Sequence, residues 1–182
     1  MSSIERAFVA VVPPPEVLAA VALLSVPDDG LRWSRPEQRH VTLQFLGRVD
    51  DVDALTESVT ESVRRIAPFT LALGGAGAFP SPRRASVVWL GVSTGAEELA
   101  ELAGAIAMGT APLGFVDDDR PFRPHLTLAR VNATRDVRAL VERLRTGLAG
   151  PPWTVDQVVL FDSDTRAEGA VHTVRARFPL DA

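Results

Sequence analysis

The chain has 182 residues, 46% apolar and 23% charged, with a formal charge of −4 and no cysteine. That is enough apolar material for a real core in one compact domain. It excludes disulfide frameworks, thiolate metal sites and cysteine nucleophiles, and the acidic balance argues against a general nucleic-acid coat.

In chain order, residues 6–12 read as a buried strand, and prolines 13–15 open an apolar helix that runs to about residue 24. Residues 40–46 form the next strand. Asp50, Asp51 and Asp53 then lead into a helix whose apolar positions Leu55, Val59, Val63 and Ile66 share one face. Residues 69–73 are a further strand. Glycines 74, 75 and 77 with prolines 80 and 82 mark an ordered junction between the halves.

The second half repeats the order. Residues 85–92 are a strand, and Thr94-Gly95-Ala96-Glu97 has capping-box spacing before a helix to about residue 108. Residues 125–131 are a strand, followed by a helix from about 134 to 148 with Val137, Leu140, Val141 and Leu144 inward. Residues 153–161 close the repeat, and 170–178 read as one extra strand. The plan is β-α-β-α-β twice, over about 6–74 and 85–161. Such a duplication predicts two lobes about a pseudo-twofold axis.

Two strings stand out: His40-Val-Thr-Leu and His125-Leu-Thr-Leu, 85 residues apart at matching places in the repeat. Alternate residues of a strand share a face, so His40 and Thr42, like His125 and Thr127, point away from their apolar neighbours. Facing imidazoles can supply one general base and one general acid. Flanking hydroxyls can donate to the non-bridging oxygens of a phosphoryl group. By the same alternation Gln44 is a possible cleft contact and Phe45 belongs to the core. Trp33 is a possible stacking surface for a base.

All 19 basic residues are arginine, most simply a codon-usage effect. Arg32, Arg35 and Arg39 precede the first string, and Arg120, Arg123 and Arg130 surround the second. Guanidinium forks suit phosphate oxygens. Arg130 poses a difficulty, because five residues from His125 a regular strand would turn it to the wrong face; either the strand ends or bulges near Ala129, or Arg130 reaches around from the edge.

Two rival chemistries are weak. Gly91-Val-Ser-Thr-Gly95 matches a nucleophile elbow, but the equivalent stretch of the first half has no serine, so its hydroxyls read as helix caps. A metal on His40, His125 and His172 lacks paired ligands nearby, and Asp117–Asp119 reads as a solvated loop. No metal and no cofactor is expected.

The strings His40-Val-Thr-Leu-Gln-Phe-Leu-Gly and His125-Leu-Thr-Leu-Ala-Arg resemble the paired motifs of the two-histidine (2H) phosphoesterases. Within them, the bacterial and archaeal RNA 2′,3′-cyclic phosphodiesterases, long called 2′-5′ RNA ligases, are the nearest match. Trp33, Phe79-Pro80 and the closing Arg177-Phe178-Pro179-Leu180 add to the likeness. The resemblance implies a bilobal α+β fold, one domain over 1–182 with interleaved lobes, and antiparallel sheets around a central groove. It implies metal-free hydrolysis of a terminal 2′,3′-cyclic phosphate to a 2′-phosphate, reversible as 2′-5′ ligation. His40 would be the acid and His125 the base, with Thr42, Thr127 and Arg130 on the phosphate. His172 stands where relatives often carry tyrosine and is a possible cleft contact. The partners would be RNA ends or small nucleotides. The alternatives are a non-catalytic RNA-end binder and a phosphodiesterase for another cyclic or 2′-5′-linked nucleotide.

The string Met-Ser-Ser-Ile-Glu-Arg is unlike a signal peptide, and no apolar run approaches the ~20 residues of a membrane span. A cytoplasmic monomer with no membrane partner is expected.

Overall fold

The computed structural model describes residues 3–25, 30–116, 121–146, 149–166 and 169–181. Asp117–Asp119 and Arg120, named above, lie outside them. The strands are β1 (Ile4–Val11), β2 (Arg32–Trp33), β3 (Val41–Val49), β4 (Phe69–Phe79), β5 (Ala85–Thr94), β6 (Leu126–Arg135), β7 (Trp153–Val155), β8 (Gln157–Arg166) and β9 (Gly169–Pro179). The helices are α1 (Pro15–Ala22), α2 (Val52–Val63), α3 (Ala96–Thr110) and α4 (Arg138–Arg145).

The strands join edge to edge in the order β7-β4-β5-β6-β3-β1-β8-β9, with β2 added beside β6. All pairs are antiparallel. The pseudo-twofold runs between β3 and β6 and relates β4-β5-β6 to β8-β1-β3, with β9 added outside β8 and short β7 outside β4. The third strand of each repeat is therefore exchanged. β4 ends the first repeat but pairs with β5 of the second, and β8 ends the second repeat but pairs with β1 of the first.

The helices bury one stripe each against the sheet. Leu55, Val59 and Val63 of α2 and Leu99, Leu102 and Ile106 of α3 are buried, at the i, i+3/i+4 spacing of one helical face. Asp51 caps α2 by accepting from the Ala54 N–H at 3.0 Å. The predicted Thr94 cap on α3 does not form. Thr94 is the last residue of β5, paired with Ala72, and the N-cap is Gly95 at φ +81° with no side-chain bond. A side chain at Gly95 would also strike the Thr70 carbonyl, so backbone close approach, not hydroxyl capping, selects the residue here. Ser93, in the false elbow, lies 3.3 Å from the Ala72 carbonyl and caps no helix.

The glycine run is likewise not a junction. β4 passes through it to Phe79, with a bulge between Leu73 and Ala76 at Gly75, φ +73°. Gly77 carries the Trp89 ring, which a Cβ would overlap. The last predicted helix is shorter than expected because β6 runs on to Arg135, and residues 153–161 divide into β7 and part of β8.

Candidate active site

Where the repeats meet, β3 and β6 touch through one registered pair, Val41 opposite Leu126. The antiparallel register about that pair sets His40 beside Thr127 and Thr42 beside His125. Val41 and Leu126 are both fully buried, so the four polar side chains take the other face, in a shared groove.

Each histidine is held from behind by its own segment. The Nδ1 of His125 lies 2.7 Å from the Arg123 carbonyl, two residues earlier. His40 makes the matching bond to the carbonyl of Gln38. A carbonyl accepts only from N–H, so Nδ1 is the protonated nitrogen of His125 and Nε2 is left for the groove. Rings wall in both imidazoles. Phe8 stacks on His40 at 4.6 Å, with His172 at 5.2 Å and Phe161 at 6.2 Å. Phe79 meets His125 edge-on at 5.0 Å, with Trp89 at 6.1 Å. Phe161 and Phe79 come from the exchanged strands β8 and β4, so each histidine depends on a strand of the other repeat.

Burial in this aromatic wall, and after it the charge of His172, push the His40 imidazole down to about 4. His125 and Arg130 also act on His40 through space, which places all three in one electrostatic neighbourhood. In the free protein His40 is therefore neutral at neutral pH.

The parity problem of Arg130 is resolved by a bulge. Val88 pairs with Ala129 and Trp89 with Thr127, so Leu128 is passed over; Leu128 and Ala129 are both buried and Arg130 returns to the groove face. The first motif carries the same bulge. Val9 pairs with Gln44 and Ala10 with Thr42, passing over Leu43. Two expectations fall with it. Gln44 is not a cleft contact: it is 2% exposed and takes a bond from the Thr110 hydroxyl of α3 at 2.9 Å. Phe45 is not core: it is 54% exposed on the groove side, at the position matching Arg130, with the Arg6 guanidinium 5.2 Å above its ring.

Trp33 is also corrected. It pairs with buried Ala129 and packs against the core, whereas its neighbour Arg32 pairs with Arg130 and shares that face. Of the other arginines, Arg39 is turned inward, its Nη1 3.1 Å from the Leu18 carbonyl, and Arg35 pairs with Glu37. His172 is brought to the site, against His40. Among the described residues no three His, Asp or Glu side chains gather as a metal ion would require, and no helix is long and apolar enough to cross a membrane.

Residues 13–167 match the sequence profile of the 2′-5′ RNA ligase superfamily. The chain belongs to that superfamily. Its relatives place it among the two-histidine (2H) phosphoesterases. An RNA 2′,3′-cyclic phosphodiesterase of Thermus thermophilus is 33% identical over 192 residues, covering 96% of this chain and 90% of the relative. One from Aquifex aeolicus is 31% identical, covering 82% and 81%. Among solved structures, TT0787 of Thermus thermophilus superposes with a TM-score of 0.82 at 31% identity, covering 96% of this chain and 97% of that one. LigT of Escherichia coli complexed with 3′-AMP gives 0.80 at 27%, covering 97% and 98%. This superfamily member has the expected fold: an α+β protein with a curled antiparallel sheet.

Proposed function

We propose that this chain hydrolyses a terminal 2′,3′-cyclic phosphate of RNA to a 2′-phosphate. The observation that carries the reading is the register pair Val41–Leu126, which sets two His/Thr pairs on one groove face. The names and overlap of the relatives support the substrate class.

The phosphate lies between the histidines. Thr42 and Thr127 donate to its non-bridging oxygens, and Arg130, with Arg32 beside it, opposes its charge. His125 Nε2 takes a proton from water as the water oxygen bonds to phosphorus. The phosphorus–O3′ bond breaks in line, and His40 gives its proton to O3′. Phe45, with Arg6 above it, offers the exposed ring a nucleobase can stack on. With a 5′-hydroxyl in place of water the same sequence forms a phosphorus–O5′ bond as the phosphorus–O3′ bond breaks, which joins two ends through a 2′-5′ bond.

His40 is neutral in the free protein, so for this role it takes up its proton with the anionic phosphate. Binding is then linked to proton uptake and weakens as pH rises. The same neutrality favours a second assignment, with His40 as base and His125 as acid. The deciding experiment replaces the departing 3′ oxygen of the substrate with sulfur, which leaves without protonation. Variant H40A regains activity on it under the first assignment and H125A under the second. Absence of any 2′-phosphate product from wild-type protein and an RNA 2′,3′-cyclic phosphate overturns the proposed function and leaves a binding protein.

A further inference from the structure

The two histidines have walls of different make. Behind His125 stand Phe79 and Trp89, which do not titrate. Behind His40, one of the rings is itself an imidazole. His172, from edge strand β9, meets His40 at 5.2 Å between ring centres and 87° between planes. Its place is well fixed. It stands edge-on to Phe8 at 5.0 Å, lies 6.1 Å from Phe161, and pairs in register with buried Ser163 of β8. Its Nδ1 is enclosed and has no hydrogen-bond partner.

We propose that His172 is a positioning residue for His40: it holds the His40 ring edge-on, and its charge governs when His40 can take a proton. From β8 the pair meets Phe161 and Ser163, neither of them charged. Arg6 of β1 acts on His172, while His172 itself, His125 (the residue before β6) and Arg130 of β6 act on His40; the Gln38 carbonyl alone favours the His40 proton. Each of these side chains is cationic or becomes so on protonation. A proton on either ring is therefore taken against the others. The enclosed Nδ1 of His172 adds to this, because protonation would create a buried N–H with no acceptor.

At neutral pH the His172 ring is an uncharged wall that keeps His40 in place. Under acid conditions it becomes a like-charged neighbour, and the two rings titrate as a coupled pair. A phenylalanine at this position keeps the wall and cannot charge. The proposal rests on His40 acting as an acid–base group, but its first test needs no substrate.

That test is the NMR titration of the imidazole protons in the full chain, H172F and H172Q, beside the pH profile of kcat/KM on an RNA ending in a 2′,3′-cyclic phosphate. The expected result is a His40 midpoint moved to higher pH in both variants, with the acid limb of the rate profile moving alongside it. An unmoved His40 midpoint in folded variants overturns the proposal. So does a rate lowered equally at every pH, which is the mark of a merely structural side chain. A moved midpoint in a protein that turns over no cyclic phosphate upholds the positioning role and defeats the functional reading instead.

Discussion

At the scale of single residues, the site is a set of side chains made effective by what stands behind them. His40 and His125 are each tied through a backbone carbonyl two residues earlier and walled by aromatic rings. General acid–base groups contribute about 10²–10⁴-fold to such reactions. H40A and H125A are each expected to lose at least ~10² in kcat on an RNA cyclic phosphate, read by steady-state rates. A variant of either histidine with near-native turnover would sink the two-imidazole mechanism. F45A is expected to act differently. It removes a stacking surface of roughly 1–3 kcal/mol per base and should raise KM with little change in kcat. An unchanged KM would place the nucleobase elsewhere.

At the scale of elements, paired bulges decide which residues reach the groove. That His40 and Thr42 share a face, as do His125 and Thr127, was legible because His-x-Thr within β-formers obeys simple alternation. Arg130 was legible as a difficulty, and a bulge near Ala129 was one of three ways out of it, beside an early strand end and a reach from the edge. The same difficulty applied to Phe45, at the same distance from His40, and that was the available signal for a residue mistaken for core. One extra residue per strand inverts every assignment beyond it, which is why Gln44 is buried and Phe45 exposed. The glycines of β4 misled for a related reason: Gly is common in turns, but here it accommodates a bulge and an overlying indole. Gly77→Val would drive a side chain into the Trp89 ring beside His125. Both a lower melting temperature and a lower kcat are expected. A variant with native values of both would show that Trp89 does not support the site. Strand exchange left no trace in local periodicity, because β4 and β8 carry the same apolar pattern whichever neighbour they choose.

For the whole molecule, the buried imidazole couples folding to pH. His40 is held near 4 when folded and returns to about 6.5 when unfolded. Between those values the unfolded chain binds more protons, so stability rises with pH across this window and falls on acidification. The melting temperature is expected to drop as pH falls from about 6.5 to about 4, and H40N should flatten part of that slope. An identical slope in H40N would mean that other groups carry the acid sensitivity.

The exchanged strands bear on how this chain is made. A ribosome releases β1 and β3 early, yet the other edge of β1 stays unpaired until β8 emerges about 150 residues later. β4 has β5 close behind it in the chain, but its other edge waits for β7. The side built on β1 cannot close during synthesis, so residues of β1 and β3 should remain protease-sensitive on stalled ribosomes until β8 is added. Protection of residues 4–49 in a chain arrested before β8 would refute that order of events. A duplication that grants two matching half-sites thereby ties the first strand to be made to one of the last.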